Sequence, residues 1–245
     1  EERKMKLDRT KGFISLEIRV GKMYSYNDGN HETEIYGFTP KSELVLLEGA
    51  TYFGFVSKGK IKLLQEIPRS RERILYEGDF FSVQGAAKII SNGLGIVNSS
   101  GNYLGFNVFG GPIEEKGKLR YIDGCTDTLL VPPVRIGDPC LNHLHFPPNI
   151  VQTPHTHPSI RTGLIYKGRG ECIIPGDQNI SLTPDNVFII KTDTVHSFNT
   201  NNSSMDVISY HPDSDVGMTD SDHPMINRTL VDGISASKMG DRHKK

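Results

Sequence analysis

Short apolar runs, each closed within a few residues by Gly, Pro, Asn or Asp, constrain this 245-residue chain more than any other feature. "YFGFVSKGKIKLL", "DFFSV", "NVFII" and "DVISY" are typical, and 25 glycines and 14 prolines are spread among such runs. β-Branched and aromatic residues fit a pleated, half-buried surface, and frequent turn formers leave no room for long helices. No long stretch carries a 3.6-residue period. The expectation is an all-β sandwich or barrel with little helix.

Two of these runs recur. "YFGFVSKGKIKLL", beginning at Tyr52, lies over "RTGLIYKGRGECII", beginning at Arg161, and pairs Gly54 with Gly163, Lys58 with Lys167 and Gly59 with Gly168. Further on, "LYEGDFFSV" from Leu75 lies over "LTPDNVFII" from Leu182. Matches in the same order at nearly the same offset indicate two copies of one β unit. The polar "GPIEEKGK" segment is the natural join, giving an N-terminal unit over 1–115 and a C-terminal unit over 116–245. Beyond residue 211 the chain is rich in Asp, Pro and Ser and cannot build its own core. That tail is expected to wrap a barrel or touch a neighbouring subunit, and the basic "RHKK" end to be solvated.

Lys+Arg 28 against Asp+Glu 29 gives a net charge of −1, so no global field draws nucleic acid or an anionic membrane, and neither is expected as a partner. No apolar run is long enough to span a bilayer, and the charged start has no apolar core like a signal peptide's; a cytoplasmic chain is expected. Cys125, Cys140 and Cys172 are too widely spaced for a CxxC pair and odd in number, so they are read as buried, reduced and structural. The acidic "DSDVGMTDSD" lacks the glycine and terminal glutamate of a calcium loop. HExxH, GxSxG, GxGxxG and Walker signatures are absent from the sequence.

The chemistry concentrates in "TPHTHPSIRTGLIYKG". His155 and His157 stand at i and i+2 and share a face if extended. His196, after the strand-like "NVFIIK" and the turn "TDT", is placed to return beside them. Three neutral imidazoles facing one way, with open positions left over, suit Fe, Mn, Ni, Cu or Zn. A second pair, His143 and His145, lies just upstream, either facing the site or facing outward as hydrogen-bonded surface residues. His211 and His223 fall in the tail and are read as structural.

These residues resemble the two motifs of the cupin superfamily. The first motif, G, five residues, HxH, then E and G, becomes Asn149, His155, His157, Arg161 and Gly168 with its intervals kept. The second, G, five residues, PxG, then H and N, becomes Asp185, Lys191, Asp193, His196 and Thr200. The resemblance implies two tandem cupin-type double-stranded β-helix barrels, a bicupin, with one divalent metal on His155, His157 and His196 in the C-terminal barrel. Asn149, Asp185 and Asp193 replace glycines with types that tolerate a left-handed backbone. Arg161 replaces the glutamate ligand. A guanidinium about 6 Å from a divalent ion is repelled by roughly 5 kcal/mol at an effective dielectric near 20, so Arg161 must swing aside, be neutralised by a carboxylate, or mark a site that has lost its metal.

The same intervals applied to the first copy place Leu46, Glu48, Tyr52 and Ile89 at the ligand positions, which implies a metal-free N-terminal barrel. The expected function is metal-dependent chemistry on a small polar or anionic metabolite. Iron and dioxygenase-like oxidoreductase chemistry lead, as in three-histidine cupins; Mn or Zn would favour a sugar-acid isomerase or lyase. Arg161 would hold a substrate carboxylate, Tyr166 or His145 would donate a proton, and Gly163 would leave room for the ligand. The alternatives are a non-catalytic cupin that binds a small molecule and a structural cupin. The resemblance also implies a homodimer.

Overall fold

The computed structural model describes residues 8–9, 12–65, 70–177, 179–217 and 223–239. The basic end at 242–245 and part of the acidic tail segment lie outside them. The described residues are almost all strand or turn, with one α-helix, Pro224–Arg228, and two short 3-10 turns. No helix among them is long and apolar enough to cross a membrane.

The strands form two barrels, each a large sheet facing a small one. In the first, the six-stranded sheet runs Val108–Gly110, Phe80–Gln84, Ala50–Lys58, Leu94–Gly101, Glu32–Phe38, Gly21–Asn27. Opposite it lie Ser42–Leu46, Ala87–Ser91, Lys60–Gln65 and Arg71–Tyr76. Alternating residues such as Leu44, Leu46, Ile61, Leu63, Phe81 and Val83 fill the space between, as period-2 patterning requires. In the second, an eight-stranded sheet contains Asn186–Ile190, Arg161–Gly168, Met205–His211, Cys140–Phe146 and Thr126–Val131 in that spatial order. It faces the three short strands Ile180–Leu182, Gly170–Ile173 and Ser197–Asn199.

The sequence repeat is visible as a repeated packing device. Gly54 opposes Phe81 and Gly163 opposes Phe188 across antiparallel pairs, and in each case the phenyl ring lies over the glycine, within 3 Å of where a Cβ would stand. Gly59 and Gly168 both turn with positive φ, 71° and 70°.

The two large sheets pack back to back. Phe53 meets Tyr210 at 5.2 Å and Phe55 meets Tyr166 edge-on at 4.9 Å. Around them, Ile35 and Ile96 of the first barrel share a buried cluster with Leu164 and Ile208 of the second. Polar links flank this cluster: Thr162 donates to Asn98 Oδ1 at 2.7 Å, and Ser57 donates to Asp185 Oδ1 at 2.8 Å. The barrels are therefore held by an apolar interface pinned by specific hydrogen bonds.

One assignment needs correction. Asp8–Arg9 and Phe13–Glu17, placed by sequence in an N-terminal unit spanning 1–115, extend the sheet of the second barrel. Phe13 pairs with Ile190 and Ile14 with Ile189, and the Phe13 ring stacks on Phe188 at 6.2 Å. The run "GFISLE" offers alternating apolar residues to a barrel edge that needs a partner, and nothing local reveals which barrel receives it.

Before residue 218 the tail lies against the second barrel, where the Gly137 N–H donates to the Ser214 carbonyl at 2.9 Å. Its described part beyond 223 makes a small unit from the helix and a two-stranded ribbon, Leu230–Val231 with Ile234–Ser235. All three cysteines are buried and free.

Candidate metal centre

His155 and His157 lie on the extended segment that leads into Arg161–Gly168, and His196 immediately precedes Ser197–Asn199. The segments meet at an isolated antiparallel bridge between His155 and His196. Asp193 holds the loop before it: with φ at 57°, its N–H donates to the His157 carbonyl at 2.9 Å. Asn149 and Asp185 also have positive φ, 63° and 68°, so all three replacements of motif glycines occupy the left-handed region that Asn and Asp tolerate.

The three imidazoles each offer one nitrogen, and these atoms lie within 4.8 Å of one another. Two tautomers are fixed by carbonyl oxygens, which can only accept: Nδ1 of His155 donates to the Thr153 carbonyl at 3.0 Å, and Nδ1 of His196 to the Thr194 carbonyl at 2.8 Å. In the neutral ring this leaves the lone pair on Nε2, the form a metal needs. Burial holds His157 down at about 3, helped by Arg161 and the neighbouring imidazoles. Burial likewise lowers His196, to about 4, with the Thr194 carbonyl opposing and His155 and Arg161 adding to the shift. At neutral pH both are uncharged, and the donor set fits a divalent transition ion.

Arg161 lines the same cavity, about 50 Å³ in volume, and is 3% exposed. Its bonds to the protein all leave from Nη1, to Ser159 Oγ at 2.5 Å and to the carbonyls of Ile160 and Ser159 at 3.1 and 3.3 Å. Nε is buried without a partner, and no carboxylate among the described residues forms an ion pair with the guanidinium. Burial lowers its pKa, while Cys140, Asp215 and Asp213 oppose that shift. The site thus holds a desolvated cation beside the three imidazoles, unfavourable to a bare metal ion and favourable to a metal with an anion.

Other expectations fail for reasons of strand parity. Tyr166 is an odd number of residues from Arg161 and points to the other face, where its ring packs on Phe55 between the barrels. His145 and His143 also face away from the triad: Nδ1 of His145 and Nε2 of His143 meet Asp206 Oδ1 at 2.8 and 2.9 Å. Their neighbours Asn142, Leu144 and Phe146 face the cavity instead. Gly163 leaves no room for a ligand, because the Phe188 ring fills it.

Sequence reasoning missed several cavity residues, Ser209, His211, Asp127 and Asn142 among them. His211, assigned to the tail, ends the strand Met205–His211, and its ring centroid lies 6.3 Å from that of His157. Ser209 and His211 alternate in "VISYH", the available signal. Asp127 and Asn142 line the opposite wall; Asn142 Nδ2 donates to both Asp127 oxygens, at 3.2 and 3.0 Å. In the first barrel, by contrast, Leu46, Tyr52 and Ile89 are packed into the apolar core.

No protein-family model matches the chain, and no curated protein matches it in sequence. Solved structures do match in fold. A cupin 2 conserved barrel domain protein from Leptotrichia buccalis superposes with a TM-score of 0.56 at 13% identity, over 83% of this chain and 90% of that one. Protein Ylba from E. coli gives 0.58 at 15% identity, over 89% and 97%. Oxalate decarboxylase from Bacillus subtilis, which has Mn(II) centres, gives 0.51 at 10% identity, over 87% and 76%.

Proposed function

We infer a function from the fold, which is that of the cupin superfamily in its two-barrel form. From that premise, we propose that it is an enzyme holding one divalent transition metal on His155, His157 and His196 and acting on a small carboxylate. The observation that carries the reading is the convergence of three ligand nitrogens within 4.8 Å, two of them on rings whose tautomers are set by carbonyls. A bound metal would supply Lewis acidity and, if iron, oxygen chemistry of the three-histidine kind.

Arg161 takes the substrate carboxylate. Its unpartnered Nε gives it a donor to offer, and an anion there cancels the repulsion between guanidinium and metal ion. Metal and carboxylate should then each raise the other's affinity. Phe188, Ile190 and Phe198 close the cavity with apolar surface and keep water out.

The test is metal content per chain in protein purified without chelator or affinity nickel. Near-stoichiometric iron supports dioxygenase-like chemistry, checked by oxygen uptake with small acids. Manganese or zinc directs the screen to isomer and lyase products. Metal well below stoichiometry after anaerobic reconstitution in the presence of a carboxylate would defeat the reading and leave a binding protein for small anions, which the buried cation of Arg161 favours.

A further inference from the structure

Two buried polar atoms of residues lining the cavity have no partner among the described residues: Nε of Arg161, a donor, and Oδ1 of Asn142, an acceptor. Leaving either unmet carries the full desolvation penalty of a buried polar group. They stand on strands two apart in one sheet, in neighbouring rows of inward-facing residues. Gly163 opposes Ser209, and Ser209 opposes Asn142; Arg161 is two residues before Gly163 on its strand. The two strands are about 10 Å apart, and both side chains line the cavity.

The ends differ in hydrogen-bonding sense. Arg161 can only donate. At the other end, Asn142 spends its Nδ2 group on Asp127, so its free Oδ1 and the carboxylate of Asp127 present acceptors. Asp127 enters from the neighbouring strand, paired with Leu144. No cation forms an ion pair with it among the described residues, and burial raises its pKa against the bonds from Asn142. A water molecule needs about 10–15 Å³, so a cavity of about 50 Å³ suits a ligand of only a few heavy atoms.

We propose that the ligand is a small carboxylate bearing a hydroxyl or ammonium group, its carboxylate turned to Arg161 and its donor group turned to Asp127 and Asn142. The carboxylate half of this assignment rests on the function proposed above; the donor half rests on the Asp127–Asn142 wall alone. A plain monocarboxylate satisfies one end only. A dicarboxylate sets a second anion beside Asp127 and is rejected.

Isothermal titration calorimetry on the zinc-loaded full chain, a redox-inert form, tests this with acetate, glycolate, glycine and malonate as probes. Glycolate or glycine should bind at least tenfold more tightly than acetate or malonate. Asn142→Leu should reduce that preference to under twofold while the chain still retains zinc. Asp127→Asn, of nearly the same shape, should do the same if the leucine variant fails to fold. Acetate binding as tightly as glycolate and glycine overturns the donor assignment and leaves the metal and carboxylate reading intact. Failure to retain zinc, or to bind any of the four, overturns both.

Discussion

His155 and His196 exchange both of their backbone hydrogen bonds, N to O at 3.0 Å in each direction, so two of the three proposed ligands are fixed to one another before any metal arrives. The ring centroids are 4.6 Å apart as a consequence. His157 is tied in differently, through its carbonyl to Asp193.

That difference makes His157 the ligand to remove. His157→Ala should lower metal content to under a tenth of an ion per chain while far-ultraviolet circular dichroism stays unchanged, because the His155–His196 bridge is left in place. A variant that takes up metal as well as the parent would refute the ligand assignment.

Arg161→Glu replaces a cation with an anionic ligand at the same strand position. Removing a repulsion of several kcal/mol and adding an attraction should strengthen metal binding by more than tenfold, read by competition with a chromophoric chelator. Carboxylate binding should fall by at least as much. Unchanged metal affinity would mean that the guanidinium does not act on the site.

The depressed histidines give the metal-free protein a defined pH dependence. His157 at about 3 and His196 at about 4 stay neutral in the folded chain, against an ordinary 6.5 when unfolded. Between these values the unfolded chain takes up protons that the folded one refuses, so this stabilisation is complete above pH 6.5 and is lost as the pH falls through the folded values. The thermal midpoint should drop from pH 7 to pH 4, and His157→Gln should flatten the slope. Parallel slopes for the two proteins would contradict the burial argument.

Gly163→Ala places a methyl group 2.2 Å from the Ile208 carbonyl oxygen and 2.6 Å from the Phe188 ring. Because one neighbour is backbone, the clash cannot be relieved by a side chain alone. A loss of about 1–3 kcal/mol in denaturant unfolding is expected, and Gly54→Ala should behave alike in the other barrel. No loss at either position would show that the ring-over-glycine contact is dispensable.

The all-β architecture and the clustering of His155, His157 and His196 were legible because both depend on spacing. Turn residues at short intervals limit strand length, and the i, i+2 relation of His155 and His157 is read directly. Facing direction was less accessible. Tyr166 and Arg161 are close in sequence, yet alternation sends one between the barrels and the other into the cavity, and His145 is turned away by the same rule. The Asp127–Asn142 pair was invisible because it depends on the register between strands Thr126–Val131 and Cys140–Phe146, a tertiary fact. Asn149, Asp185 and Asp193 were readable for the opposite reason: their left-handed backbones express intrinsic residue preference.

The strand Phe13–Glu17 closes against residues 169 to 177 positions later in the chain. During synthesis it leaves the ribosome long before its partner exists, so the second barrel stays an unfinished surface until the strand Asn186–Ile190 is made. Cleaving the chain between its two halves would also leave the second barrel without one of its own staves. The cavity wall formed by Phe188 would then lose the ring stacked behind it, and Phe13 would be stranded on the wrong fragment.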